Sequence, residues 1–273
     1  LIKNKFINNP GSWKPLIYCW RGGQRSKSIA MTLSEIGWEV YLLRGGYKTY
    51  RKKVNNSLNK IIKDHKFIIL RGKTGTAKTR IIEKLIFNGE SAINLENLAK
   101  HKGSLLGNYP NIPQPSQKFF ESLLYYEFKK LKKNTSVFIE SESSKIGDLF
   151  LPSKLIEKIE NSPCIEIKST VENRASFLVK DYKNFILKKN SFNKLFTHAN
   201  TRLGKDIVNK WKYNYKSKNW KELALQLIVE YYDPLYSFKK NQKNNKVLES
   251  YNLKTLNNYH INRFCLYLKK QYT

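Results

Sequence analysis

The chain has 273 residues, with 51 Lys+Arg against 21 Asp+Glu, a formal net charge of +30, and 40% hydrophobic residues. That length suits one large domain or two ordinary ones, and that apolar content builds a core, which excludes wholesale disorder. No apolar run reaches the ~18 residues that cross a bilayer, no N-terminal stretch reads as a signal peptide, and Cys19, Cys164 and Cys265 lack the CxxC spacing of a zinc site or disulfide framework. A soluble, reducing, cytoplasmic setting is the expectation. The chain opens on Leu1 rather than Met, as a fragment or a processed chain does.

LIYC (16–19) is a short apolar run ending in a cysteine, followed by a Gly-rich turn. In KSIAMTLSEIGW, Ile29, Leu33 and Ile36 fall at i, i+4 and i+7, one face of a helix that Gly37 stops. VYLL (40–43) reads as the next buried strand, broken by Gly45-Gly46, and 47–64 as a basic helix and connector. FIIL (67–70) is another buried strand, leading into GKTGTAKT and the helical run RIIEKLIF. Strand, Gly-rich loop and helix thus occur twice, which makes the class α/β with mainly parallel strands. Glycines and prolines make 103–117 a loop, and an apolar stripe makes 116–131 a helix. SVFIE (136–140) and CIEI (164–167) read as strands, 153–161 and 171–189 as helices. From 190 onward helices alternate with Lys/Asn-rich linkers, and KKNQKNNK (239–246) reads as a mobile loop. The expected divisions are 1–58, 59–182 and a basic, mostly helical 183–273.

The charge points to an anionic partner, with nucleic acid as the expectation. Lysine outnumbers arginine 42 to 9 and asparagine reaches 28, a bias that genomic AT-richness also produces. The distribution is uneven: residues 1–66 carry net +11, 67–182 net +5 and 183–273 net +14. Uniform drift would not leave the middle so balanced.

Two constellations carry chemistry. In LIYCWRGGQRS, Cys19 ends a strand before a Gly-rich turn and a helix, whose N-terminus supplies roughly half a positive charge. Arg21 and Arg25 flank it, and Gly22-Gly23 let the backbone curl around the sulfur, so a thiolate is favoured over a merely buried cysteine. Cys164 and Cys265 read as packing residues. The second constellation, Gly72, Lys73, Thr74, Gly75, Thr76, Ala77, Lys78 and Thr79, nearly matches the P-loop G-x-x-x-x-G-K-[ST] between a strand and a helix. Loop N–H groups would cradle a diphosphate, Lys78 would reach the outer phosphate and Thr79 would hold Mg²⁺. The alternative is an ordinary strand–turn–helix with a surface lysine. Ala77 stands where glycine is usual. Glu140, with Glu142 close by, is the candidate acid for the metal, or else a solvated acid after a strand.

The cysteine turn and LLRGGYKTY resemble a rhodanese domain, although only 18 residues precede Cys19 and the earlier elements of such a domain are missing. With the phosphate loop behind it, the chain resembles the bacterial tRNA 2-selenouridine synthases. The resemblance rests on CWRGGQRS, LENLAKHKGSLLG (95–107), QPSQKFFES (114–122), FIESESSKIGDLFLP (138–152), ENRASFLVKDY (172–182) and YYDPLY (231–236), in that order. It implies the C-terminal part of a rhodanese-like domain, then a P-loop parallel-sheet domain, then a helical region. It also implies a transferase acting on 2-thiouridine at the tRNA wobble position. On that resemblance the sulfur would be geranylated with geranyl diphosphate, and the S-geranyl group would then be replaced by selenium from selenophosphate. No tightly bound cofactor is expected, and Mg²⁺ is a candidate at the phosphate loop. Cys19 would carry or relay selenium, and the basic flanks would grip the anticodon arm. Phe119, Phe120, Tyr125 and Tyr126 are candidate walls for the prenyl tail or simply helix core, and Trp20 a base-stacking or a packing residue. Two rival readings remain: a sulfurtransferase fused to a P-loop ATPase or kinase, and a non-catalytic RNA-binding module.

Overall fold

A computed structural model describes residues 6, 8–109, 111–132, 134–186, 191–240 and 245–272. The chain divides into two compact units, Leu1–Leu58 and Asn59–Thr273.

In the first unit, β1 (Leu16–Ile17) pairs in parallel with β2 (Tyr41–Leu42), with helix Gln24–Glu35 between them in sequence. The 40–43 segment is shorter and less covered than its apolar sequence suggests. Tyr41 is 49% and Leu42 40% exposed, because the sheet of this unit has two strands among the described residues. Leu33 is buried, as the helical face requires, whereas Ile29 and Ile36 remain exposed. Trp13 and Trp38 meet edge to face at 5.2 Å. The helix expected over 47–64 is Gly46–Asp64.

In the second unit, the three continuous apolar runs become the middle of one parallel sheet. Its strands are β3 (Lys66–Gly72), β4 (Ala92–Ile93), β5 (Ser136–Glu140), β8 (Cys164–Lys168) and β9 (Val247–Asn252), in the order β4-β5-β3-β8-β9. A small antiparallel hairpin, β6 (Lys145–Ile146) with β7 (Leu149–Phe150), stands apart from it. Strands apolar on both faces need cover on both. On one face Ile81, Ile82 and Leu85 of helix Lys78–Phe87 and Ile261, Phe264 and Leu268 of helix Asn258–Tyr272 share a core with Ile68, Leu70, Phe138 and Ile165. Helix Gln117–Lys130 buries Phe120, Leu124 and Phe128, and the Phe128 ring stacks on Phe67 at 5.9 Å. A separate core of Phe192, Leu195, Phe196, Val208, Trp211 and Leu223 holds the C-terminal helices together.

The stretch read as helices and linkers from 190 onward also contributes the edge strand β9. Its sequence VLESYN is only half apolar, and every residue of it is at least partly exposed, so it lacks the buried-strand signature of its neighbours. The short β4, the hairpin and helix Leu95–Ala99 were likewise too brief to show a period. The helix expected over 171–189 is broken into Val171–Asp181 and Lys183–Ile186, and 187–189 lie outside the described residues. Of the tract 239–246, Lys239 and Lys240 close helix Asp233–Lys240 and 241–244 lie outside the described residues. No helix among the described residues is long and apolar enough to cross a membrane.

Candidate active site

β3 delivers the loop 72–79 to the N-terminus of helix Lys78–Phe87, the end at which a helix presents its first backbone N–H groups. Ala77, the departure from the motif, has φ 60° and ψ 24°, left-handed backbone that glycine adopts without strain. Gly75 is also left-handed, and a Cβ there would meet the Leu178 side chain at 3.0 Å and the Arg174 carbonyl at 3.1 Å. Lys78 Nζ folds back over the loop, donating to the Gly72 carbonyl at 2.8 Å. An ammonium parked on carbonyls can swing to a phosphate at small cost.

Thr79 Oγ1 donates to Glu96 Oε2 at 2.8 Å and lies 3.3 Å from Glu140 Oε2. The Glu96 N–H donates to Glu140 Oε1 at 3.2 Å. Glu140 is fully buried rather than a solvated acid at a strand end. One oxygen from each of Glu96, Glu140 and Glu142 lies within 4.8 Å of the others. Burial, then the charge of Glu142, pushes the Glu96 carboxyl up to about 7. Burial, then Glu96 and Glu142, raises Glu140 well above the carboxylate range. Three crowded carboxylates and a hydroxyl form a hard oxygen set that fits Mg²⁺, which would relieve their mutual repulsion.

Behind the loop, Arg174 is 2% exposed, and its guanidinium forks Asp233 at 2.8 and 2.9 Å and donates to the Thr74 carbonyl at 3.2 Å. Lys73 Nζ reaches the same carboxylate at 2.9 Å. Burial would raise Asp233, but hydrogen bonds from Arg174 and Lys73 outweigh it and hold the carboxyl low. Asp233 follows a π-helical turn, Leu227–Tyr232, an irregularity that tends to mark working positions. Asp181, at the end of helix Val171–Asp181, pairs with Lys102 and lies 3.5 Å from Arg80.

In front of the loop lies a cavity of about 490 Å³, lined by Thr74 to Arg80 together with Glu96, Lys102, Asp181 and Tyr231. A second, narrow cavity of about 60 Å³ adjoins it, walled by Leu106, Leu178, Phe192, Trp220, Leu223 and Leu227. Thr74, Ser104, Leu178, Tyr182 and Tyr232 line both. Burial pushes the Tyr182 and Tyr232 hydroxyls up, so this shared mouth carries neutral phenols.

In the other unit, Cys19 follows β1 in a turn before helix Gln24–Glu35. The Gly23 N–H donates to its sulfur at 3.2 Å, and the Ser26 hydroxyl lies 3.2 Å away. The thiol is lowered to about 6, first by the Ser26 hydroxyl and then by the N–H groups of Gly23, Arg21 and Ser26. Of the two arginines that the sequence places beside the sulfur, Arg21 contributes its backbone N–H. The turn is clamped by the next helix, where Tyr47 N–H donates to the Cys19 carbonyl at 2.9 Å. A Cβ on Gly46 would sit 2.2 Å from that carbonyl oxygen, so only glycine allows the approach. Trp20 is 48% exposed and packs on Tyr47 at 5.5 Å.

The structure therefore gathers Gly72 to Thr79, Glu140 and Glu142 at one place. Of the proposed aromatic walls, Phe120 is buried in the core, while Phe119 and Tyr126 are 57% and 47% exposed. None of Phe119, Phe120, Tyr125 and Tyr126 lines either cavity beside the loop. Glu96, Arg174 and Asp233 were not singled out from the sequence, although they lie in the blocks LENLA, ENRAS and YYDPLY.

Residues 65–209 match the family model described as the tRNA 2-selenouridine synthase AAA domain. A tRNA 2-selenouridine synthase of Sulfurovum sp. (strain NBC37-1) is 30% identical over 263 residues, 85% of this chain and 70% of that protein. The chain belongs to the tRNA 2-selenouridine synthase family. It is a family of tRNA-modifying enzymes. The synthase of Alcanivorax borkumensis is 38% identical over 176 residues, and that match spans 64% of this chain and 46% of the relative. The synthase of Marinobacter nauticus is 28% identical over 260 residues, 85% of this chain and 70% of the relative.

Proposed function

We propose that this chain is a cytoplasmic tRNA-modifying transferase that converts 2-thiouridine to 2-selenouridine at the wobble position, using geranyl diphosphate and then selenophosphate. The observation that carries this reading is the junction between the two cavities. A loop of phosphate-binding shape faces one of them, and the other, away from the shared mouth, is walled by hydrocarbon and aromatic side chains. A ligand with a diphosphate head and an apolar tail satisfies both, whereas the base and ribose of a nucleotide would find few polar partners in that wall.

In the first half-reaction the 2-thiouridine sulfur attacks C1 of the geranyl group, the C1–O bond breaks, and diphosphate leaves with the electron pair. The loop N–H groups and Lys78 receive the growing negative charge. Mg²⁺ would be held by Thr79 with Glu140, Glu96 and Glu142, where it would supply further charge neutralisation to the leaving group. In the second half-reaction the selenium of selenophosphate attacks C2 of the base, the C2–S bond breaks and geranylthiolate leaves with its electron pair, and water then cleaves the P–Se bond, releasing phosphate and leaving selenium on C2. We assign Cys19 to this step, because its thiol is poised as thiolate near neutral pH by the turn around it. The turn, the parallel pair β1–β2 and the clamping helix support reading residues 1–58 as rhodanese-like. The +11 and +14 flanks are the proposed grip on the anticodon arm, where salt should weaken binding steeply.

Mass spectrometry of 2-thiouridine tRNA incubated with the chain, geranyl diphosphate and selenophosphate tests this. The expected products are S-geranyl tRNA followed by 2-selenouridine, and Cys19→Ser should accumulate the S-geranyl form. No S-geranyl product from the parent chain would overturn the transfer reading, and full selenation by Cys19→Ser would overturn the role of the cysteine.

A further inference from the structure

We infer that the narrow apolar cavity seats the hydrocarbon tail of a diphosphate held by the 72–79 loop, and that Ala224 sets how long a tail it accepts. The inference rests on reading that loop as a diphosphate site. The two cavities share Thr74, from the loop itself, and Leu178, from the helix against which Gly75 packs. A tail leaving the loop therefore passes Tyr182 and Tyr232 directly into the apolar wall.

That wall is stiff. Phe192, Leu223 and Leu227 are 5%, 1% and 6% exposed and belong to the core that holds the C-terminal helices together. Leu178 and Val179 come from helix Val171–Asp181, whose Arg174 is anchored to Asp233. Beyond the shared mouth, Ala224 is the smallest side chain lining the cavity, and the other lining residues are Val, Leu, Ile, Phe or Trp. It sits on helix Trp220–Gln226 between Leu223 and Leu227. Close-packed walls do not yield to an added group without strain. The cavity is only about 60 Å³, so a benzyl side chain at 224 would take the space a tail needs. Position 224 lines the apolar cavity but not the loop cavity, so its substitution separates tail binding from head binding.

The test is calorimetry on the full chain with Mg²⁺ and three probes: inorganic diphosphate, dimethylallyl diphosphate and geranyl diphosphate. A buried methylene is worth roughly a fourfold gain in affinity, so the parent should bind geranyl diphosphate at least about tenfold more tightly than inorganic diphosphate. Ala224→Phe should bring geranyl diphosphate to within about threefold of inorganic diphosphate, whose own affinity stays at the parent value and reports an intact fold. Val179→Phe, which fills the cavity from the opposite helix, should do the same, and decides the matter if Ala224→Phe does not fold. Retention of the parental preference for the longer tail by the folded variants would overturn the inference while leaving the loop reading intact. Failure of inorganic diphosphate to bind the parent would overturn the loop reading, and the inference with it.

Discussion

Arg174 and Asp233 stand 59 residues apart in the chain and meet as a two-pronged ion pair, Nη1 to Oδ1 at 2.8 Å and Nη2 to Oδ2 at 2.9 Å. The pair fastens the C-terminal helices to the helix behind the loop, and through the Thr74 carbonyl to the loop crest. Removing one partner of such a pair strands the other's charge in a dry site. Asp233→Ala should therefore cost about 3–5 kcal/mol, and on the order of 10 °C in thermal midpoint. A melt indistinguishable from the parent would show that the pair does not hold the loop.

Lys78 rests on loop carbonyls and is free to turn to an anion. Lys78→Ala should weaken inorganic diphosphate binding by about 1.5–3 kcal/mol, the range for a charge-assisted hydrogen bond, with little change in melting. Calorimetry giving equal affinities would remove Lys78 from the site.

Ala77 tolerates left-handed backbone because its side chain is a single methyl. Ala77→Gly should leave stability within about 1 kcal/mol, since relief of strain offsets the entropy lost on folding. Ala77→Val places a β-branched side chain at φ 60° and should cost about 2 kcal/mol, measured by denaturant unfolding.

Glu140 is a buried carboxylate beside two others. In Glu140→Gln the apo protein should melt at or above the parent temperature, because a costly buried acid is gone. Mg²⁺ should raise the melting temperature of the parent and not of the variant. An equal Mg²⁺ effect on both would place the ion elsewhere.

Cys19 is lowered to about 6, so its nucleophilic thiolate should predominate above that pH and vanish below it. Alkylation by iodoacetamide should rise with pH through a midpoint near 6. In Ser26→Ala, which removes the largest lowering contribution, the midpoint should move upward toward the ordinary thiol value. A midpoint unchanged in the variant would assign the shift to the backbone N–H groups alone.

What the sequence by itself determined is local. A continuous apolar run, a glycine-rich loop and a helical period are properties of adjacent residues, so FIIL–GKTGTAKT–RIIEKLIF was legible as strand, loop and helix, and Cys19 as the residue before a turn. Positions that act across the chain were not legible. Arg174 reads as one more helical arginine until Asp233 is folded against it, and Glu96 as a surface acid until β4 carries it beside Glu140. The aromatic stripe at 116–131 read as either pocket wall or helix core and is partly core, because its apolar face packs under the sheet. The apolar cavity is built instead from Leu106, Phe192, Leu223 and Leu227, residues far apart in sequence that only tertiary packing brings to the mouth of the loop. Burial and charge pairing depend on which segments meet, and neither residue type nor spacing within one segment specifies that.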